Sequence, residues 1–86
     1  MHFRWVAWNL DHIAEHGVGP GETEEVVEMA RSPFPRRIED DKWLVWGATL
    51  AGRQLQVVFV LDANGTVFVI HVRDLTAREK RRLRRR

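Results

Sequence analysis

The run Val67-Phe68-Val69-Ile70-His71-Val72-Arg73 sets an imidazole and a guanidinium two residues apart at the end of an apolar stretch. Strand side chains alternate with period two, which predicts Val67, Val69, His71 and Arg73 on one face and Phe68, Ile70 and Val72 on the other. His71 and Arg73 then stand roughly 6–7 Å apart. An imidazole moves protons near neutral pH, and a guanidinium matches phosphate oxygens. The pair suits a phosphodiester. RNA brings its own 2′-hydroxyl as nucleophile. The protein must add a base, a cation for the charge building on phosphorus, and an acid for the leaving oxygen.

Two further residues join the set. Arg53 follows the Ala51-Gly52 turn, and antiparallel pairing would bring it to the same edge as Arg73. His16 precedes Gly17 at a helix end. Each candidate has a structural alternative. Arg73 could pair with Asp74 or with an acid of the first half. Arg53 could serve hairpin solubility, and His71 could be hydrogen-bonded on the sheet. His16 could cap a helix C-terminus, where the dipole favours a cation. His12 and His16 have a zinc-compatible spacing, but Asp11 and Glu15 lie on other parts of the helix, so no third ligand is expected.

The elements that carry these groups follow from pattern. Residues 5–16 read as a helix with Val6, Leu10 and Ile13 at helical spacing, stopped by Gly17. Gly19-Pro20 opens a second helix whose first turn is crowded with Glu22, Glu24 and Glu25. Ser32-Pro33-Phe34-Pro35 ends it. Residues 43–50, 54–61 and 66–72 read as strands, joined by Ala51-Gly52 and by Asp62-Ala63-Asn64-Gly65, a hairpin signal. Residues 35–38 could add a short edge strand. Thr76 and Glu79 form a capping box for a final helix, whose end at 84–86 should fray. The expected fold is α+β in one domain over residues 1–86: two N-terminal helices, an antiparallel β-meander of three to four strands with the helices on one face, and a C-terminal helix.

The net charge of +2 conceals an asymmetry. Residues 1–41 hold nine acids and four bases, whereas residues 42–86 hold ten bases and three acids. A basic half fits nucleic acid or an acidic partner. Arg78, Arg81, Arg82 and Arg85 would track RNA phosphates or meet an acidic segment, though a solvated helix face explains them equally well. The four tryptophans invite base stacking, but core packing suits most of them. At 86 residues the core is small, so a partner or second copy of the chain would help. No signal peptide is apparent, and no apolar run approaches a membrane span. The absence of cysteine excludes disulfides and thiolate metal sites and fits a reducing cytoplasm.

Four segments occur in the order seen in BrnT-type toxins of bacterial toxin–antitoxin systems. They are Trp8-Asn9-Leu10-Asp11-His12-Ile13-Ala14-Glu15-His16-Gly17-Val18, Glu24-Glu25-Val26, Gly47 to Val58, and Ile70-His71-Val72-Arg73 with Thr76 and Glu79. The chain resembles that family over nearly its whole length. The resemblance implies a RelE-like fold and metal-independent endoribonuclease activity on mRNA, with no cofactor. It also implies neutralisation by a ribbon-helix-helix antitoxin, through which alone operator DNA would be bound. Arg73 matches the family's strand-end arginine, Arg53 its Gly-Arg, and His16 its histidine. The chain departs from the pattern in three places. Trp5-Val6-Ala7-Trp8 lacks the family's Trp-Asp and lysine, His71 stands where a small residue is usual, and there is no tyrosine in the last helix.

The expected activity is therefore RNA cleavage by Arg73, Arg53, His71 and His16. The rival is a non-catalytic module of the same fold that binds RNA, DNA or an acidic partner. Convergence of these side chains on an open sheet face favours the enzyme, and neutralisation by acids favours the module. An interaction domain without nucleic acid is a third reading, and it predicts binding that survives moderate salt.

Overall fold

The computed structural model describes residues 1–85. Helices α1 (Ala7–Ala14) and α2 (Pro20–Glu28) precede strands β1 (Arg36–Arg37), β2 (Lys42–Ala48), β3 (Gln54–Leu61) and β4 (Val67–Asp74), and α3 (Ala77–Arg84) follows. The strands form an antiparallel sheet in the order β1-β2-β3-β4. This is the α+β arrangement of two helices, meander and helix. Arg85 caps α3, and the end predicted to fray includes Arg86, which lies outside the described residues.

The first helix begins later than its periodicity predicts. Residues 2–4 run extended beside β4, where Arg4 N–H donates to Val67 O and Val67 N–H to His2 O at 2.9 and 2.8 Å. Buried Asn9 sets the turn into α1. Its Oδ1 accepts from Val6 N–H and its amide donates to Arg4 O, at 2.8 and 3.0 Å. At the other end Gly17 takes φ +67°, a conformation open to a residue without Cβ. Gly17 N–H donates to Ala14 O and Val18 N–H to Ile13 O, the two bonds of a Schellman stop, with Ile13 and Val18 both buried.

One face of the sheet carries the core. Val45, Leu55, Val57, Val67, Val69 and Val72 are buried there with Ile13, Val26 and Val27 from the helices. Each such side chain contributes about 1.5–3 kcal/mol. A Cβ on Gly47 would lie 3.4 Å from Val26 Cγ1, which places α2 against this face. Helix α1 lies along the β4 edge. The prediction that all helices share this face is corrected by α3. Glu79 and Arg82 of α3 meet Arg73 and Trp46, which point to the opposite face, and Leu83 packs down beside them.

Strict alternation also fails in β4. Val58 pairs with His71, but Phe59 pairs with Val69, so Ile70 is an extra residue and forms a β-bulge. The bulge inverts the parity beyond it. Val67, Val69 and Val72 face the core, while Phe68, His71 and Arg73 share the other side. His71 and Arg73 stay together, away from Val67 and Val69.

Candidate functional site

The sheet face beneath α3 has a registered row of three polar-tipped side chains. Trp46 pairs with Gln56 and Gln56 with Arg73. Gln56 Oε1 accepts from Trp46 Nε1 and from Arg73 Nη2, both at 3.0 Å. Arg73 also grips the Glu79 carboxylate with two bonds, Nη1 to Oε1 at 2.7 Å and Nη2 to Oε2 at 2.8 Å, and donates from Nη1 to Asp74 O at 3.1 Å. A guanidinium has five N–H donors, so only Nε–H remains for a ligand. Glu79 accepts from Thr76 N–H as well and closes the capping box predicted from Thr76. The Arg73 guanidinium, with the Thr76 amide, pushes the Glu79 carboxyl down to about 2.

Arg53 reaches the same end of the sheet but the opposite face. Its Nε and Nη2 hold both oxygens of Asp74 at 2.9 and 3.0 Å. Its Nη1 donates to Gly17 O and its Nη2 to His16 O, at 2.8 and 2.9 Å, and Glu22 Oε2 stands 3.5 Å from Nη1. Arg53 and Arg73 thus share an edge without sharing a ligand position. The Arg53 guanidinium, through its hydrogen bonds, holds the Asp74 carboxyl below the usual range.

These two carboxyls fix an acid limb for stability. Both are lower in the folded chain than in the unfolded one, so their contribution is complete above the ordinary carboxyl range near pH 4.5 and fades as pH falls toward 2. Urea midpoints should hold from pH 6 to about pH 5 and then drop toward pH 3, and Glu79→Gln should flatten part of that drop.

The histidines converge. His71 lies half-buried on β4, and its ring centre is 6.0 Å from that of His16 in an edge-on pose. Its imidazole makes no hydrogen bond to a described residue, contrary to the alternative of a histidine side chain bonded on the sheet. Burial lowers its pKa, and the nearby charges of His16, Arg73 and His12 lower it further. Trp8 and His12, four residues apart, line one side of α1, and His16 follows in the turn just past its end. His12 stacks on Trp8 with ring centres 4.1 Å apart. Among the described residues no three His, Asp or Glu side chains are grouped to hold a metal.

Of the α3 arginines, Arg82 lies over the Trp46 ring at 5.7 Å. Arg78, Arg81 and Arg85 are exposed and make no ion pair with a described residue. Three of the four acids of α2 are occupied elsewhere: Glu24 accepts from Trp5 Nε1, Glu25 from Leu50 N–H, and Glu22 from Gly19 N–H. Sequence reasoning missed Gln56, whose role follows only from its register with Arg73, and the second role of Glu79. No family model matches this chain, and neither a curated protein nor a solved structure is significantly similar to it. No helix among the described residues is long and apolar enough to cross a membrane.

Proposed function

We propose that the chain is a metal-independent endoribonuclease that works on the sheet face between α1 and α3. The observation that carries this reading is the His16–His71 pair, 6.0 Å apart, beside Arg73. Two imidazoles this close can both be reached by one phosphodiester laid across them. His71, neutral at pH 7, takes the 2′-hydroxyl proton as the 2′-oxygen attacks phosphorus. The bond from phosphorus to the 5′-oxygen breaks, and His16 returns a proton to that oxygen. Arg73 Nε–H, the donor left over, faces the charge on the equatorial oxygens. The exposed arginines of α3 hold flanking phosphates. The BrnT resemblance adds a ribbon-helix-helix antitoxin as the neutralising partner and the cytoplasm as the setting.

A second reading, binding without cutting, is favoured by one observation. Both candidate clamp arginines face acids, and Glu79 cancels the Arg73 charge where a phosphorane would form. Incubating labelled mRNA with the purified chain in EDTA separates the two. Cutting that is lost in His71→Ala and His16→Ala supports the enzyme, and RNA that is bound but intact supports the module. Glu79→Gln adds a graded check. Glutamine keeps the capping bond to Thr76 N–H but removes the charge facing Arg73. RNA affinity should rise several-fold, with a salt slope steeper by up to about one.

A further inference from the structure

One tryptophan is placed unlike the others. Trp5 donates to Glu24, Trp46 donates to Gln56, and Trp43 packs against the core. Trp8 is 48% exposed on the outer side of α1. It is nonetheless held in a stack. The Phe68 ring lies nearly parallel to it, 14° apart in plane with centres at 6.0 Å, and the His12 ring lies at 4.1 Å. Arg4 closes the far end, its guanidinium 4.3 Å from the Phe68 centre. Two elements and the N-terminal segment therefore build one π surface with a cation at its end. From Trp8 and His12 on α1 the surface leads on to His16, just past the end of the helix. It ends at the His16–His71 pair.

A large indole facing water gains little by itself, whereas aromatic stacks are what unpaired bases dock on. We propose that the Trp8 indole, ordered by Phe68 and His12, is a subsite for one nucleobase of single-stranded RNA next to the position that is cut. This rests on the reading that the chain binds RNA. The chemistry favours a base over a peptide segment for two reasons. Arg4 puts a cation at the Phe68 end of the stack, suited to the phosphate next to a bound base, and the Trp8 and Phe68 rings are within 14° of parallel, as stacked bases are. It also selects unpaired RNA, because a duplex hides its base faces.

The test is equilibrium binding of a short, fluorescently labelled 2′-O-methyl RNA, which has no free 2′-hydroxyl and so stays intact. Trp8→Ala should weaken binding about 5- to 150-fold, the loss expected for one stacked base. Trp8→Phe should keep most of the affinity. The slope of log affinity against log salt should not change in either variant, because no phosphate contact is lost, whereas Arg81→Ala should lower it. Thermal unfolding confirms that the variants are folded. Parent-like binding by Trp8→Ala overturns the subsite and leaves the RNA reading standing. Equal binding to the strand and its duplex also overturns it. Failure of the parent to bind at all overturns both together.

Discussion

Replacing His71 by alanine should lower RNA cleavage by about 10²–10⁴-fold while leaving RNA binding within a few-fold of the parent. The loss belongs to proton transfer, since the His71 imidazole makes no hydrogen bond to a described residue. His16→Ala should lose a similar factor. The double variant should lose little more than either one, because residues that act as a unit are not additive. The pH profile gives the second readout. Burial and the cations around His71 depress its pKa, so the neutral base persists below pH 6.5 and the acid limb of kcat/KM should lie below the usual imidazole value. Removing the Arg73 charge with Arg73→Met should move that limb upward. Protonation of His71 is disfavoured in the folded chain, so its share of stability is present above pH 6.5 and is lost as pH falls through the depressed value. A limb at or above 6.5, insensitive to Arg73, would remove His71 from the base role.

The meander could be read from the sequence because its turns are chemically marked. Asn64-Gly65 and Gly52 need positive φ, and both glycines adopt it. Gly17 and the Thr76–Glu79 box likewise mark helix ends by local chemistry. The bulge at Ile70 carries no such mark. An inserted isoleucine is as apolar as its neighbours, so counting by two continues through it and puts His71 on the side of Val67 and Val69. The direction of Arg53 was hidden for a related reason. Sharing a sheet end with Arg73 says nothing about sharing a face, and the two are divided by the odd–even parity of Leu55 and Gln56. Glu79 was masked by its own motif, because a complete capping box leaves nothing to signal a second partner. Asn9 fell within a segment that resembles a toxin motif, and its contacts are those of a buried residue fixing the start of α1.

Arg53→Ala should produce the largest loss of stability of any polar substitution in the chain. The guanidinium ties three separate pieces: the carbonyls of His16 and Gly17 just past α1, the Asp74 carboxylate at the end of β4, and Glu22 of α2. The carbonyls of His16 and Gly17 accept from no other donor among the described residues, and the Asp74 carboxylate would lose both of its hydrogen bonds. Arg53 is about one-third exposed and Asp74 more than half, so screening reduces the ion pair itself. The bonds to the carbonyls lose less. A loss of about 3 kcal/mol follows from three to four charge-assisted bonds discounted in this way. For a domain of this size that lowers Tm by about 12–24 °C and removes a large part of the total stability. Arg53→Lys should recover only a fraction, because an ammonium cannot span Asp74 and both carbonyls at once. Asp74→Ala should cost less than Arg53→Ala, and the double variant little more than Arg53→Ala alone. The consequence for chemistry runs through His16. Its carbonyl is one of the groups Arg53 holds, so freeing the end of α1 moves the imidazole away from His71. Cleavage by Arg53→Ala at a temperature where it is folded should fall with an unchanged salt slope for RNA binding. A phosphate clamp would do the reverse, losing salt slope while the fold kept its Tm.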